Sequence, residues 1–460
     1  MEAAQVRSKR FSILGAARSG LAVAALLRRH GAAVFVSDAL PAGRLAAARQ
    51  ELEENGIPYE FGGNTRRVLE ANIVVVSPGV PSDIPVIREA VGQGRTVVSE
   101  LEVASWFCAA PMVAVTGTNG KTTTTSLLGR IAEDARREAI VAGNIGTAFS
   151  QSVEGITARG LAILEVSSFQ LDHIASFRPA VAIILNITPD HLDRYGHSFE
   201  KYIAAKCRVF EFQQKGDTLI YNADDDVTRV AVERRKERAM SALPFSLRGL
   251  SPGDDGAYVR DGLLCVRLHG KTGEIVPIGS ISIRGEHNVY NAMAASLAAT
   301  VLGISTPSLR ATLKNFKGVE HRLEFVREVD GITYINDSKA TNVDSVWYAL
   351  RSFQQPIVVM LGGRDKGNDY SRLNDLVRRH VKAIVAIGES AAKVKDAFAG
   401  LVPVRTATTM DEAVRTASSL AARGDVVLLS PACASFDWFE NYEHRGRVFK
   451  ELVMGLAGDR

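Results

Sequence analysis

The segment MVAVTGTNGKTTTTSLLGRI, residues 112–131, restricts the fold more than any other stretch of the chain. A short apolar run passes through glycines straight into a helical pattern, the signature of one strand–turn–helix unit of a parallel sheet. The turn has what a phosphate cradle needs. Gly117 and Gly120 let backbone N–H groups approach an anion, the helix N-terminus offers the positive end of its dipole, Lys121 brings a charge to the β and γ phosphates, and the Thr122 hydroxyl can meet Mg²⁺. Val115 stands where the full GxxxxGK[ST] pattern has its first glycine. A plain turn with a solvated lysine is the competing reading; the preceding strand and the threonine-rich helix start favour the cradle.

The same unit recurs along the chain, so the expected class is α/β throughout. FSILG, a helix over Leu21–Arg29, AVFVSD and NIVVVSPG form an N-terminal Rossmann-like domain over residues 1–100. LAILEVSS and VAIILNIT join the glycine-loop strand in a central P-loop-type domain with a parallel sheet over residues 101–318. Residues 241–282, rich in glycine and polar turns, predict a small antiparallel appendage to it. TYINDS, PIVVMLGG, AIVAIG and DVVLLSP then restart the pattern as a C-terminal Rossmann-like domain over residues 319–460. A length of 460 residues agrees with three domains at about 150 residues each.

Lys and Arg number 55 against 51 acidic residues, a net charge of +4 that gives no support to a nucleic-acid surface. Cys108, Cys207, Cys265 and Cys433 are widely spaced, against a disulfide framework or structural zinc, and a reducing cytoplasm fits them. No apolar run approaches the ~18 residues of a membrane span, and no signal core follows the first residues. A cytoplasmic monomer acting on small molecules is expected.

A phosphate loop alone implies only nucleotide binding, so the strand ends matter. LAILEVSSFQL delivers Glu165 to the C-terminal edge of the sheet, and VAIILNITPDHLDRYG empties into a loop holding Asp190, His191, Asp193 and Arg194. These oxygen and nitrogen groups could meet a metal–phosphate complex. In the first domain, Gly15-Ala16-Ala17-Arg18-Ser19-Gly20 and Asp38 are placed as in a dinucleotide site, but Ala17 replaces the middle glycine of GxGxxG. With no hydride-transfer set downstream, NAD is set aside.

The chain resembles the Mur ligase family, ATP-dependent enzymes that build the peptide of the bacterial cell-wall precursor. The likeness rests on GTNGKTT, GNIG (143–146), LEVSSFQL, TPDHLDRYG, YIAAKCRVF, HNVYNAMAA, EHRLE, NDSKATN, GGRDKG and SPACASFDWFENYEHRG, in this order over nearly the whole chain. Phe169 and Gln170 after the serines, and the SPACASFDWFENYEHRG motif, resemble the D-glutamate-adding member; the diaminopimelate- or lysine-adding member typically has a histidine after the serines. Folylpolyglutamate synthase shares the phosphate loop but matches less well.

The resemblance implies that Gly117, Thr118, Asn119, Gly120, Lys121, Thr122 and Thr123 bind ATP phosphates, with Asn288, Asn291, Arg322, Asp337 and Lys339 on the adenine, ribose or phosphates. It implies two Mg²⁺ ions, Thr122 and Glu165 holding one, His191 and Lys206 the other. Lys206 matches a lysine carbamylated by CO₂, which turns a repelling ammonium into an oxygen ligand. Arg18, Ser19, Asp38, Ser77 and Gly79 match contacts to the UDP end of the substrate, with Asn144 and His191 nearer the reacting carboxylate. Ala39 and Leu40 depart from the polar uracil contacts of some members. Thr341, Lys366, Ser435 and Tyr442 match contacts to the incoming D-glutamate, the aromatic position through its backbone.

The implied reaction joins D-glutamate to UDP-N-acetylmuramoyl-L-alanine through an acyl phosphate, a cytoplasmic step of peptidoglycan precursor synthesis, and needs hinge closure between the second and third domains. The rival classes are an ATPase or kinase that ignores D-glutamate and a nucleotide-sugar binder that hydrolyses nothing.

Overall fold

The computed structural model describes residues 3–235, 240–365 and 367–457. Strands β1 (Arg10–Leu14), β2 (Ala33–Asp38), β3 (Tyr59–Phe61), β4 (Ile73–Val76) and β5 (Thr96–Ser99) form an all-parallel sheet ordered β3-β2-β1-β4-β5. Helical stretches alternate with these strands, which read as near-continuous apolar runs because both faces are covered. Ile13, Val36, Val75 and Val98 are among the residues of one core, while Leu14, Val74 and Val76 belong to a second. The strand order reverses between β1 and β4, where the Gly15 loop and the Ser77 turn emerge side by side.

The second sheet contains β6 (Met112–Thr116), β7 (Ala139–Gly143), β8 (Leu161–Glu165), β9 (Val181–Ile184), β10 (Thr218–Asn222), β11 (Ser241–Ser246), β12 (Gly256–Arg260), β13 (Leu263–Leu268) and β14 (Lys271–Pro277). Its order is β14-β13-β12-β11-β10-β9-β6-β8-β7. The glycine-loop strand β6 therefore lies between β9 and β8, so the loops after all of these strands meet at one edge. The expected antiparallel appendage begins later than the sequence suggests. β11 pairs parallel with β10, and β12 parallel with β11; only β12–β13 and β13–β14 are antiparallel. The alternating pattern of 241–246 fits either pairing, and its neighbour β10 decides it.

The third sheet holds β15 (Glu324–Val329), β16 (Ile332–Asn336), β17 (Ile357–Gly362), β18 (Val381–Ile387), β19 (Val404–Thr406) and β20 (Val426–Leu429). Its order is β15-β16-β20-β17-β18-β19, parallel except for the β15–β16 hairpin. Two cores flank it, one on Leu361, Ile384 and Leu428, the other on Met360, Val385 and Phe449.

The chain divides into two compact units, one of residues 1–280 and 290–314, the other of 281–289 and 315–460. The helix Glu286–Val301 is shared by both. Among the described residues, no helix is long and apolar enough to cross a membrane.

Candidate functional site

In the first unit, β6 ends at Thr116, and the loop that follows enters the helix Lys121–Asp134 through Gly120, at φ 85°. A left-handed backbone is one reason for glycine here; the other is space, since a Cβ on Gly120 would lie 2.3 Å from Asn291 Oδ1. Asn291 thus sits against the loop. The loop is clamped from β9: Asn119 N–H donates to Asn186 Oδ1 (2.9 Å), and Asn186 Nδ2 donates back to Asn119 O (3.1 Å). Thr118 Oγ1 donates to Thr188 O and accepts from Thr188 N–H. Thr123 is buried in the first turn of the helix. A strand end is legible in NIT, but that Asn186 would hold the loop is not, because the contact joins positions 67 residues apart.

Lys121 Nζ donates to Gly117 O (2.9 Å) and Thr118 O (2.8 Å), folding its ammonium over the loop. Thr122 Oγ1 donates to Glu165 Oε2 (2.6 Å), and Asn144 Nδ2 to Glu165 Oε1 (2.8 Å). Glu165 is 2% exposed, so these contacts satisfy a carboxylate largely removed from water. Asn144, expected near the reacting end of the substrate, is attached to the expected metal carboxylate through its side chain, and its backbone N–H donates to the Glu165 main-chain carbonyl (2.9 Å).

Lys206, 2% exposed on the helix Phe199–Cys207, donates to Gly117 O (2.8 Å) and lies 4.6 Å from the centre of the Tyr202 ring. Burial, reinforced by the nearby positive Lys121, holds its pKa well below that of an ordinary lysine. A helix-surface lysine is thereby excluded. Depression of the pKa favours the neutral amine, the form that reacts with CO₂. In the loop after β9, His191 directly precedes the short 3-10 helix Leu192–Tyr195 in a left-handed conformation, φ 51°, its backbone N–H donating to Asp190 Oδ1 (2.9 Å). Asp193 is exposed. The hydroxyl of Thr122 and carboxylate of Glu165 are hard oxygen donors of the kind Mg²⁺ takes, so the residues present fit the ion.

At the first sheet's switch point, Ser77 Oγ donates to Gly15 O (3.3 Å), and Asp38 accepts from Ala16 N–H (2.7 Å) and Leu40 N–H (2.8 Å). Asp38 thus ties the glycine loop to the end of β2. Arg18 and Ser19 begin the helix Arg18–Arg29, Arg18 exposed and Ser19 half-buried. Gly79 is exposed on the Ser77 turn, with open space where a Cβ would stand.

In the second unit, Asn288 and Arg322 line a cavity of about 470 Å³ together with Arg284, Lys317, Phe325 and Phe353. Asp337, 2% exposed, accepts from Ser430 Oγ (2.8 Å) and Leu323 N–H (3.2 Å). Burial raises its pKa to about 6. Lys339 Nζ stands 5.1 Å from the centre of the Tyr442 ring, and Tyr442 O accepts from Ser338 Oγ (2.8 Å). Thr341 is half-buried after β16 and Ser435 buried after β20, adjacent strands of one sheet. Lys366 lies outside the described residues.

What joins these loops is Arg445, 1% exposed, which the sequence reading overlooked. Its guanidinium donates to Ser338 Oγ (3.0 Å), Ser338 O (2.7 Å) and Cys433 O (3.1 Å). A trace was present in the adjacent Gly446: a Cβ there would lie 2.2 Å from His321 Nδ1, so RG marks a close helix approach.

Three stretches of the chain match known protein families. Residues 9–99 match the MurD-like N-terminal domain of Mur ligases, 115–299 the Mur ligase middle domain and 321–433 the Mur ligase glutamate ligase domain. The chain is 49% identical to the UDP-N-acetylmuramoylalanine–D-glutamate ligase of Salinibacter ruber, covering 98% of this chain and 99% of that one. It is 46% identical to the enzyme of that name from Chlorobaculum tepidum, over 99% and 100% of the two chains. Among solved structures, UDP-N-acetylmuramate-alanine ligase MurC of Thermotoga maritima shares the fold at a TM-score of 0.60 and 20% identity, covering 97% of this chain and 99% of that one. The chain belongs to the Mur ligase family.

Proposed function

We propose that this ligase joins D-glutamate to UDP-N-acetylmuramoyl-L-alanine with ATP, giving ADP and phosphate. The observation that carries the reading is the convergence of Lys121, the Thr122–Glu165–Asn144 chain and buried Lys206 on one glycine loop. The names of the full-length relatives support the choice of D-glutamate.

An amide forms from a carboxylate only after its oxygen becomes a good leaving group, which phosphorylation by ATP achieves. The loop N–H groups and Lys121 bind and orient the phosphates, and Lys121 balances charge as the terminal phosphoryl moves. Thr122 and Glu165 would hold one Mg²⁺; His191 and a carbamylated Lys206 would hold a second. Bound there, the ions supply charge neutralisation of the transferring phosphoryl group. Asn144 orients Glu165. Arg18, Ser19, Asp38, Ser77 and Gly79 hold the UDP end, and Asn288, Asn291, Arg322, Asp337 and Lys339 the rest of ATP. Thr341, Lys366, Ser435 and Tyr442 hold D-glutamate, whose amine attacks the acyl phosphate. Functionally we assign residues 1–100 to the UDP substrate, 101–318 to ATP and 319–460 to the amino acid.

The test is phosphate release with ATP, Mg²⁺ and UDP-N-acetylmuramoyl-L-alanine, adding D-glutamate, L-glutamate, lysine or diaminopimelate separately, with mass detection of product. A new amide only with D-glutamate is expected. Amide with another amino acid would change the substrate, and phosphate release indifferent to amino acids would leave an ATPase.

A further inference from the structure

The resemblance assigns no role to Phe169 or Arg194, yet these side chains join two parts of the first unit. Phe169 lies in the short helix Ser168–Leu171, directly after the strand that ends at Glu165. A capping box fixes that helix: Ser167 Oγ accepts from Gln170 N–H, and the Gln170 side chain accepts from Ser167 N–H. The Phe169 ring is thereby held half-buried, meeting His191 edge-on with centroids 5.2 Å apart and stacking on Tyr195 at 6.1 Å.

On the same ring lies the Arg194 guanidinium, 4.4 Å from the centroid. A cation over an aromatic face is attracted by the ring quadrupole, and guanidinium stacks flat while keeping its edge donors free. Arg194 uses that edge. One of its nitrogens donates to Val80 O (3.0 Å) and to Pro78 O (3.4 Å) in the turn after β4. That turn also carries Ser77, bonded to Gly15 O, and a Cβ on Gly15 would lie 3.1 Å from Val80 Cγ2. A continuous series of contacts thus runs from the His191 loop through Phe169 and Arg194 to both loops of the first sheet's switch point.

We propose that Phe169 and Arg194 are positioning residues that set the distance between the anchor for the UDP end and the phosphoryl-transfer loop, so that the far carboxylate of the precursor reaches the transferring phosphate. The inference rests on the assignment of the Ser77 turn to the UDP end. Neither side chain need touch a reacting atom. Their work is to hold two loops at one spacing, and the substrate that spans both should feel its loss, whereas ligands that occupy only one loop should not.

The experiment uses the full chain with Arg194→Gln, Phe169→Leu, the double variant and Arg194→Lys. Each single change is expected to raise KM for UDP-N-acetylmuramoyl-L-alanine roughly tenfold, leaving KM for ATP and the affinity for UDP alone within about twofold. Because the second change finds the bridge already broken, the double variant is expected near tenfold and not near a hundredfold. Arg194→Lys, which keeps a cation over the ring, should recover part of the loss and, with Phe169→Leu, keeps the test open if Arg194→Gln does not fold. Parallel rises for ATP, UDP and precursor, or a double variant equal to the product of the singles, would overturn the bridge. If the parent protein neither binds the uridine substrate nor makes the amide, the proposed function fails first and this inference falls with it.

Discussion

Replacing Arg445 by Met tests whether one buried cation organises the loops after β16 and β20 in the second unit. Methionine keeps length and apolar volume but donates nothing. Ala434 O would still accept from Arg364 N–H, and Ser338 Oγ would keep its bond to Tyr442 O. Ser338 O and Cys433 O, however, would lose the guanidinium donors at 2.7 and 3.1 Å. At about 1–3 kcal/mol for each buried acceptor left unsatisfied, the gross cost is about 2–6 kcal/mol. Relief of the buried charge, whose desolvation pulls the Arg445 pKa down to about 10, trims that cost. We expect a net loss of about 2–3 kcal/mol. Urea unfolding measures the size; hydrogen–deuterium exchange read by mass spectrometry measures the place. Amides in 337–342 and 432–441 should exchange faster by about one to two orders of magnitude, with those of 113–125 unchanged. Protection retained in both loops, with unchanged stability, would show that they stand without Arg445.

Lys206→Ala should abolish most turnover, and added short carboxylates should restore part of it by supplying the missing oxygen ligand; equal activity with and without carboxylate would count against the carbamate. Gly120→Ala should weaken ATP binding by at least about tenfold, because the new Cβ meets Asn291 Oδ1 at 2.3 Å and the backbone is at φ 85°; unchanged nucleotide titration would show that the loop relaxes without cost. For Asp337 the sign follows from a raised pKa: the folded state favours the neutral acid, so its contribution is full below the ordinary value of 3.8 and is lost as pH rises through about 6. Asp337→Asn should therefore gain stability relative to the parent between pH 4 and 7, by up to about 3 kcal/mol; a difference independent of pH would remove the buried carboxylate as its cause.

The parallel strands and the phosphate loop were readable because apolar runs ending in glycine or polar turns are local patterns. Glu165 was readable for the same reason, since it closes an apolar strand. The roles of Asn186 and Arg445 were not, because each is defined by carbonyls or amides distant in sequence, and backbone groups carry no residue identity to read. Nor could spacing show that Asp38 spends both oxygens on backbone N–H groups of its own domain. Sequence located the loops at the strand ends; the polar side chains that hold them became evident only in three dimensions. The 241–246 strand marks another limit, since its direction depends on β10 and not on its own alternation.

The division of the helix Glu286–Val301 has a consequence for how the protein is made. Ile281–Val289 belongs with the second unit, yet the ribosome delivers it before Tyr290–Lys314, which completes the first. The earlier segment must wait for partners still unsynthesised. Ser282 Oγ bonds to Phe316 O, and Ile283, Arg284 and Asn288 supply one wall of the cavity whose other walls include Lys317, Phe325 and Phe353. A fragment beginning at residue 315 would thus emerge with a wall missing and apolar side chains bared, whereas one beginning at 281 would carry the whole lining with it. A second-unit fragment is therefore best begun ahead of the shared helix, although the same cut takes from the first unit the Tyr290–Lys314 stretch that completes it.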